Sequence, residues 1–224
     1  MTPESRQKTA NILIVDDHPI VRQGIAEMIN READLKVSTE ADNAEQALQL
    51  LCAKPCPFDL VIADISLGGV SGLELIKLIR SRHDDLGVLV ISMHDESLYA
   101  ERALRAGARG YIMKQEATEK ILMAIRQILS GDIYLSEKMR TQMLQRMVDH
   151  RPQAGAPTLA ALTDRELEVM RLIGLGLGTG DIARELHRSV KTIEAHRSNA
   201  KEKLGLKTSA EFVRYAIQWV EKEA

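Results

Sequence analysis

From Ile12 to about Ser130 the chain alternates between two patterns of apolar residues. Short runs of β-branched and aliphatic residues at Ile12–Asp16, Leu35–Thr39, Leu60–Ile65, Gly87–Ser92 and Gly110–Met113 read as strands. Between them apolar residues recur three and four positions apart, which is the helical period. The first helical stretch runs from Pro19 to Asn30, with Ile20, Ile25, Met28 and Ile29 facing inward. The second, near Ala44–Ala53, opens on Asn43 with Gln46 three residues on, and the third follows Ser71 with Glu74 at the same spacing. That spacing lets a capping side chain satisfy a free N–H at a helix start. The fourth stretch covers about Ser97–Ala106 and stops at Gly107; the fifth starts after Thr118 and ends near Ser130–Gly131. Strands alternating with helices of this length imply βαβ units and a parallel sheet. Runs such as Leu60–Ile62 lack polar alternation, as expected of strands buried on both faces.

The pattern then changes. Residues 136–150 read as one more amphipathic helix, with Met139, Met143, Leu144 and Met147 on its apolar face. Residues 151–157, with two Pro, one Gly and small residues, break all periodicity and mark a flexible linker. After 158 only short helices are predicted. Thr163 and Glu166 form a capping box ahead of Leu167, Met170, Leu172 and Ile173, and a glycine-rich turn spans 174–180. A short helix at Asp181–Leu186 and a turn at His187–Arg188 lead to a longer helix, Val190–Leu204, capped by Ser189 and stopped by Gly205. Thr208 with Glu211 opens a last helix through Trp219. A short helix, a tight turn and a longer basic helix make the helix-turn-helix arrangement. The expected divisions are therefore 11–130, 131–157 and 158–224.

Composition adds little until it is divided. The 224 residues suit two small domains, and 30 Lys plus Arg against 32 Asp plus Glu give a net charge of −2, which says nothing about nucleic acid. Residues 188–207, however, carry Arg188, Lys191, Arg197, Lys201, Lys203 and Lys207 against Glu194 and Glu202 alone. That local excess points to a polyanion. The two cysteines, Cys52 and Cys56, supply only two of the ligands a structural zinc needs, so they read as incidental thiols of a reducing compartment. No apolar run reaches membrane-spanning length, and Met1–Asn11 lacks a signal-peptide core. A cytoplasmic protein without a membrane partner is expected.

The candidate chemistry lies at strand ends. Asp64 closes the third strand and Asp16–Asp17 closes the first, on the rim where open α/β sheets build their sites. Three carboxylates together repel unless a cation joins them, and a hard divalent ion with oxygen ligands, Mg2+, fits. Asp64 is the nucleophile candidate for phosphoryl transfer, Asp16 and Asp17 hold the metal, Ser92 offers a hydroxyl and Lys114 a fixed positive charge.

The set Asp16–Asp17, Asp64, Ser92, Tyr111 and Lys114, each at a strand end in this order, resembles the receiver domain of bacterial two-component response regulators. The resemblance implies a flavodoxin-like, doubly wound five-stranded parallel sheet, with Asp64 phosphorylated by a sensor histidine kinase. It implies that Asp17, Asp64 and the backbone carbonyl of Ser66 ligate Mg2+, with Asp16 acting mainly through water. Ser92 would swing toward the phosphate and Tyr111 turn inward, changing the surface around the fourth helix and fifth strand. The loop departs from the family at Gly68, where Pro is usual, and Ser66 and His94 flank the phosphate path.

Residues 163–204 resemble the LuxR-type helix-turn-helix of the NarL/FixJ group, most strongly at Asp181–Ala183 and Ser189–Arg197. This implies an all-α four-helix domain, joined to the receiver by the helical linker, that binds double-stranded DNA. On Val190–Leu204, the positions Val190, Ile193, Ala200 and Leu204 form an apolar stripe, opposite Lys191, Glu194, Ala195, Ser198, Lys201 and Glu202. By analogy Glu194, Ala195 and Ser198 would meet base edges, and Lys191, Thr192, Arg197 and Lys201 phosphates. Val213, Ala216, Ile217 and Val220 of the last helix are the expected dimer face of a protein that is a homodimer when active.

Other functions compete on specific residues. Gly174–Gly180 follows a helix and has no Gly-Lys-Ser/Thr ending, so it is not a nucleotide loop. A phosphatase passing through an aspartyl-phosphate would share Asp64 and Mg2+, but enzymes resembling the haloacid dehalogenases need an Asp two positions on, where this chain has Ser66. A regulator acting by protein contacts alone, with an idle DNA domain, would enrich no sequence from a random DNA pool.

Overall fold

The structure, a computed structural model, describes residues 9–67, 69–148 and 159–223. Gly68, the linker at 151–157, the last two positions of the helix expected at 136–150 and the side chain of Met147 lie outside the described residues. The chain divides into two compact units, Met1–Met139 and Arg140–Ala224.

In the first unit the apolar runs form five strands, β1 (Ala10–Val15), β2 (Leu35–Ala41), β3 (Leu60–Ala63), β4 (Gly87–Ser92) and β5 (Gly110–Met113). All neighbours pair in parallel, in the order β2-β1-β3-β4-β5. This is the doubly wound order of flavodoxin-like sheets. Every residue of β3 and β4 is buried, because helices cover both faces. On one face Ile12, Ile14, Leu60, Ile62, Leu89 and Ile112 pack with Ile25 and Ile29 of α1 (Pro19–Asn30) and with Ile121, Ile125 and Ile128 of α5 (Thr118–Leu129). The other helices are α2 (Ala44–Leu51), α3 (Gly72–Arg82) and α4 (Glu96–Ala106), which bury Ala47, Leu51, Leu75, Ile76, Ile79, Ala100 and Ala103. Each fully buried aliphatic side chain contributes about 1.5–3 kcal/mol relative to exposure.

The caps behave as their residue types dictate. Asn43 accepts from the Gln46 N–H at 2.8 Å and Ser71 from the Glu74 N–H at 3.4 Å. Gly107 ends α4 with φ 113, a conformation other residues adopt at a cost. Three expectations need correction. Ile20, in the first turn of α1, is 86% exposed, and the buried face of that helix is formed by Ile25, Ala26 and Ile29. The third strand stops at Ala63 rather than Ile65, since the chain turns where the Asp64 carboxylate takes the Ile65 N–H. Leu144 of α6 (Glu137–Val148) is 62% exposed, so the apolar face of that helix is narrower than its sequence suggests. Met139, at its start, is buried, and Tyr134 before it bridges to Gly110 at the start of β5.

The second unit holds a short 3-10 turn (Leu159–Ala161) and four helices, α7 (Asp164–Gly174), α8 (Thr179–Glu185), α9 (Val190–Lys203) and α10 (Ser209–Glu223). Its core joins Leu167, Val169, Met170, Ile182, Ile193, Ala200, Leu204 and Phe212. α7 and α10 approach so closely that a β-carbon on Gly174 would stand 2.5 Å from the Ala216 carbonyl oxygen. Both predicted capping boxes form: Thr163 with Glu166, and Thr208 with Glu211. Val190 is a further correction. It is 47% exposed in the first turn of α9, so the apolar stripe begins at Ile193.

Candidate functional site

The strand ends of the first unit bring one cation and three carboxylates together. Asp64 follows β3 and is 4% exposed; its backbone N–H donates to the Val15 carbonyl at 2.9 Å, which fixes it beside the end of β1. Its Oδ1 accepts the Ile65 N–H at 2.7 Å, and its Oδ2 accepts from Lys114 Nζ at 2.9 Å. The same ammonium lies 2.6 Å from Asp16 Oδ2. Asp16 is buried, whereas the Asp17 side chain is 37% exposed and lies 2.6 Å from His18 Nδ1. Asp16, Asp17, His18 and Asp64 each offer a ligand atom, all within 4.8 Å of one another.

Burial pushes the Asp64 carboxyl above its ordinary range, and Lys114 offsets only part of that push. For Lys114 burial works against the charge, but Asp64 and Asp16 outweigh it and hold the ammonium above its ordinary value. The lysine therefore remains charged between two buried acids, which satisfies the rule that a buried ion must be paired. The donor set, mostly carboxylate oxygens at a rim, suits a hard divalent cation.

The switch candidates sit on the adjoining strands. Ser92 is fully buried at the end of β4 and its Oγ accepts the His94 N–H at 3.3 Å. Tyr111 is 1% exposed and points inward, donating its hydroxyl to the His94 carbonyl at 2.7 Å. Burial pushes that phenol well above its ordinary pKa, so it acts as a neutral donor. Ser66, on the loop leaving Asp64, has its Oγ 2.7 Å from His94 Nε2.

Several contributors carried no sequence signal. Arg22 donates to the Asp16 carbonyl at 2.6 Å and to Glu40 at 2.8 Å, pinning the acidic corner from α1. The His18 N–H donates to Asp16 Oδ1 at 2.8 Å. Gly72 lets α3 pass against the backbone of Asp64. A polar side chain one turn after an acidic pair is the nearest thing to a hint for Arg22; Gly72 has none, since its role arises only when two segments meet.

In the second unit Lys191, Glu194, Ala195 and Ser198 are exposed along α9, and Thr192, Arg197 and Lys201 are half-buried. Ser189 caps the helix by accepting the Thr192 N–H at 3.1 Å. Lys203 binds Glu166 Oε2 at 2.7 Å and ties the end of α9 to the start of α7. The four positions expected to form a dimer face separate. Ala216 is fully buried beneath α7, Val220 contributes to the same packing beside Gly174, Val213 is half-buried, and Ile217 is exposed. Buried Ala216 offers no surface to a second chain, because the face it shares is already used by α7.

The family model described as the response regulator receiver domain matches residues 12–126, and that of the bacterial regulatory proteins of the luxR family matches 160–216. The oxygen regulatory protein NreC of Staphylococcus haemolyticus (strain JCSC1435) is 36% identical over 212 residues, covering 92% of this chain and 96% of that protein. Among solved structures, the RcsB response regulator of Salmonella typhimurium, studied for its conformational dynamism in DNA interaction, is similar with a TM-score of 0.69 and 25% identity over 94% of this chain and 98% of that one. A structure of two RcsB dimers bound to two parallel DNAs is similar with a TM-score of 0.56 and 26% identity, over 93% of this chain and 98% of that one.

Proposed function

The chain belongs to the response regulators that join a receiver domain to a luxR-family DNA-binding domain, and from that premise we infer how its two units divide the work. It is a DNA-binding regulator of transcription that answers to a sensor histidine kinase. Asp64 accepts the phosphoryl group: a carboxylate oxygen attacks phosphorus, the phosphorus–nitrogen bond of the donor histidine breaks, and the imidazole leaves with the electron pair. The observation that carries this reading is the buried Asp64 carboxylate held at 2.9 Å by Lys114 beside Asp16. Asp16, Asp17 and Asp64 would hold Mg2+, with the Ser66 carbonyl as a further ligand; bound there, the ion offsets charge on the phosphoryl oxygens. Lys114 supplies a fixed charge to those oxygens, and Ser92 a hydroxyl.

The receiver is assigned to 11–130, the helix and linker to 131–157, and the DNA-binding domain to 158–224. On α9, Glu194, Ala195 and Ser198 are the base-reading candidates and Lys191, Thr192, Arg197 and Lys201 the phosphate-contacting ones. Homodimer formation follows phosphorylation and brings two such helices to successive half-sites, the arrangement a two-fold dimer demands. Ile217, exposed on α10, is the position of that helix best placed to meet a partner. No helix among the described residues is long and apolar enough to cross a membrane, in keeping with a cytoplasmic site of action.

Intact mass after incubation with a small phosphodonor and Mg2+ tests the acceptor. The expected result is one phosphate on the wild type and none on Asp64→Ala. Equal uptake by both proteins would move the acceptor elsewhere.

A further inference from the structure

His94 lies two residues past the end of β4 and touches four separate parts of the receiver. Its Nε2 is 2.7 Å from Ser66 Oγ on the loop after Asp64. Its backbone N–H donates to Ser92 Oγ at 3.3 Å, and its carbonyl accepts the hydroxyl of Tyr111 from β5 at 2.7 Å. Its ring stacks on Tyr99 of α4, with centroids 4.6 Å apart and planes at 26°. Ser92, His94, Tyr99 and Tyr111 are all buried. Hydrogen bonds in such surroundings reinforce one another, and a member that shifts alone leaves a buried polar atom unpaired. A displacement of the Ser66 loop is therefore not absorbed where it arises. It pulls the imidazole, and the imidazole carries both the main chain that anchors Tyr111 and the ring packed on α4.

We propose that His94 is a positioning residue that transmits a change in the loop after Asp64 to Tyr111 and α4, through its ring contact with Ser66. The proposal takes only the origin of the movement from the reading of Asp64 as phosphoryl acceptor; the link from Ser66 to α4 is present in the unphosphorylated chain.

The test is hydrogen exchange in α4 and β5 of the full-length protein, for the wild type, Ser66→Ala, His94→Ala, the double variant and His94→Gln. Ser66→Ala and His94→Ala are each expected to speed exchange in α4 about fivefold, the factor set by one net hydrogen bond. The double variant should exchange no faster than His94→Ala, and His94→Gln, whose amide can reach Ser66 but has no ring to stack on Tyr99, should restore the wild-type rate in β5 and leave α4 fast. Unchanged exchange in Ser66→Ala, or additive effects in the double variant, overturns the relay. If His94→Ala does not fold, the Ser66→Ala and His94→Gln arms still decide the outcome. A parallel run with acetyl phosphate and Mg2+ separates the two readings. Absence of phosphate on the wild type overturns the Asp64 assignment, while the Ser66→Ala comparison stands or falls by itself.

Discussion

A β-carbon at position 72 would stand 2.0 Å from the carbonyl oxygen of Asp64 and 2.7 Å from the Cα of Ile65. Both atoms belong to the backbone and cannot rotate away, so the addition of one methyl group must move the acceptor loop or the start of α3. Gly72→Ala is expected to cost about 1–3 kcal/mol in urea unfolding, as overpacking does, and to reduce phosphate uptake by Asp64 in the mass assay. Gly24→Ala is the matched control. It lies inside α1 with nothing within 4 Å, and is expected to stabilise by about 0.5–1 kcal/mol. Lys114 makes the opposite argument, through charge. Lys114→Ala leaves Asp16 and Asp64 facing each other without their shared cation, which costs about 3 kcal/mol at neutral pH. Because the folded Asp64 carboxyl already titrates above its unfolded value of 3.8, its contribution is fully favourable below that value and is lost as pH rises through the folded one. The deficit of the variant should therefore shrink on acidification, and denaturant midpoints measured across a pH series check the slope.

At the scale of elements, the sequence announced what depends on neighbours in the chain and missed what depends on neighbours in space. Strand runs, helix faces and caps are local, which is why β4, β5, α1 and the Thr163–Glu166 box fall where their patterns place them. Ile20 and Val190 share one reason for being misplaced. Each continues an apolar stripe by period, but each stands in the first turn of its helix and is exposed there. Asp16, Asp64 and Lys114 were legible as a group because each ends a strand, and parallel strands end on one rim. Arg22 and Gly72 were not, since their partners, Glu40 and the Asp64 backbone, come from close approaches that no residue spacing encodes. The Lys203–Glu166 pair is likewise tertiary, and it yields an element-scale prediction. Burial would raise the Glu166 carboxyl, but the bond from Lys203 and those with Thr163 outweigh it and hold the carboxyl below its ordinary value of 4.5. Its stabilisation is thus present above that value and lost as pH falls through the folded one. Glu166→Gln is expected to lower stability of the second unit by about 1–2 kcal/mol at neutral pH, toward the lower end because the Lys203 side chain is 37% exposed. Unfolding followed by circular dichroism should show the difference from wild type closing as the solution becomes acidic.

For the molecule as a whole, the overall charge of −2 hides a local excess of basic residues over 188–207, with the rest of the chain acidic on balance. On the proposed reading, DNA binding draws on a few cations of α9 rather than on a general attraction, and the salt dependence of affinity counts them. Each phosphate contact removed should reduce the slope of log affinity against log salt by about 0.9. Lys191→Ala, at an exposed position, is expected to do this while weakening all DNA sequences alike. Ser198→Ala, which removes a neutral group on the exposed face, should leave the slope unchanged and alter discrimination between sequences. Fluorescence anisotropy over a salt series, on selected and scrambled duplexes, distinguishes the two. A dimer doubles the number of contacts, so phosphorylation that drives dimerisation should steepen the wild-type slope on a two-half-site duplex and leave it unaltered on a single half-site. Ile217→Glu places a charge on the exposed position of α10 without entering the α7 packing that buries Ala216. That variant is expected to accept phosphate on Asp64 and still show the single-site slope on both duplexes, because the step lost is the pairing of two chains and not the chemistry that calls for it.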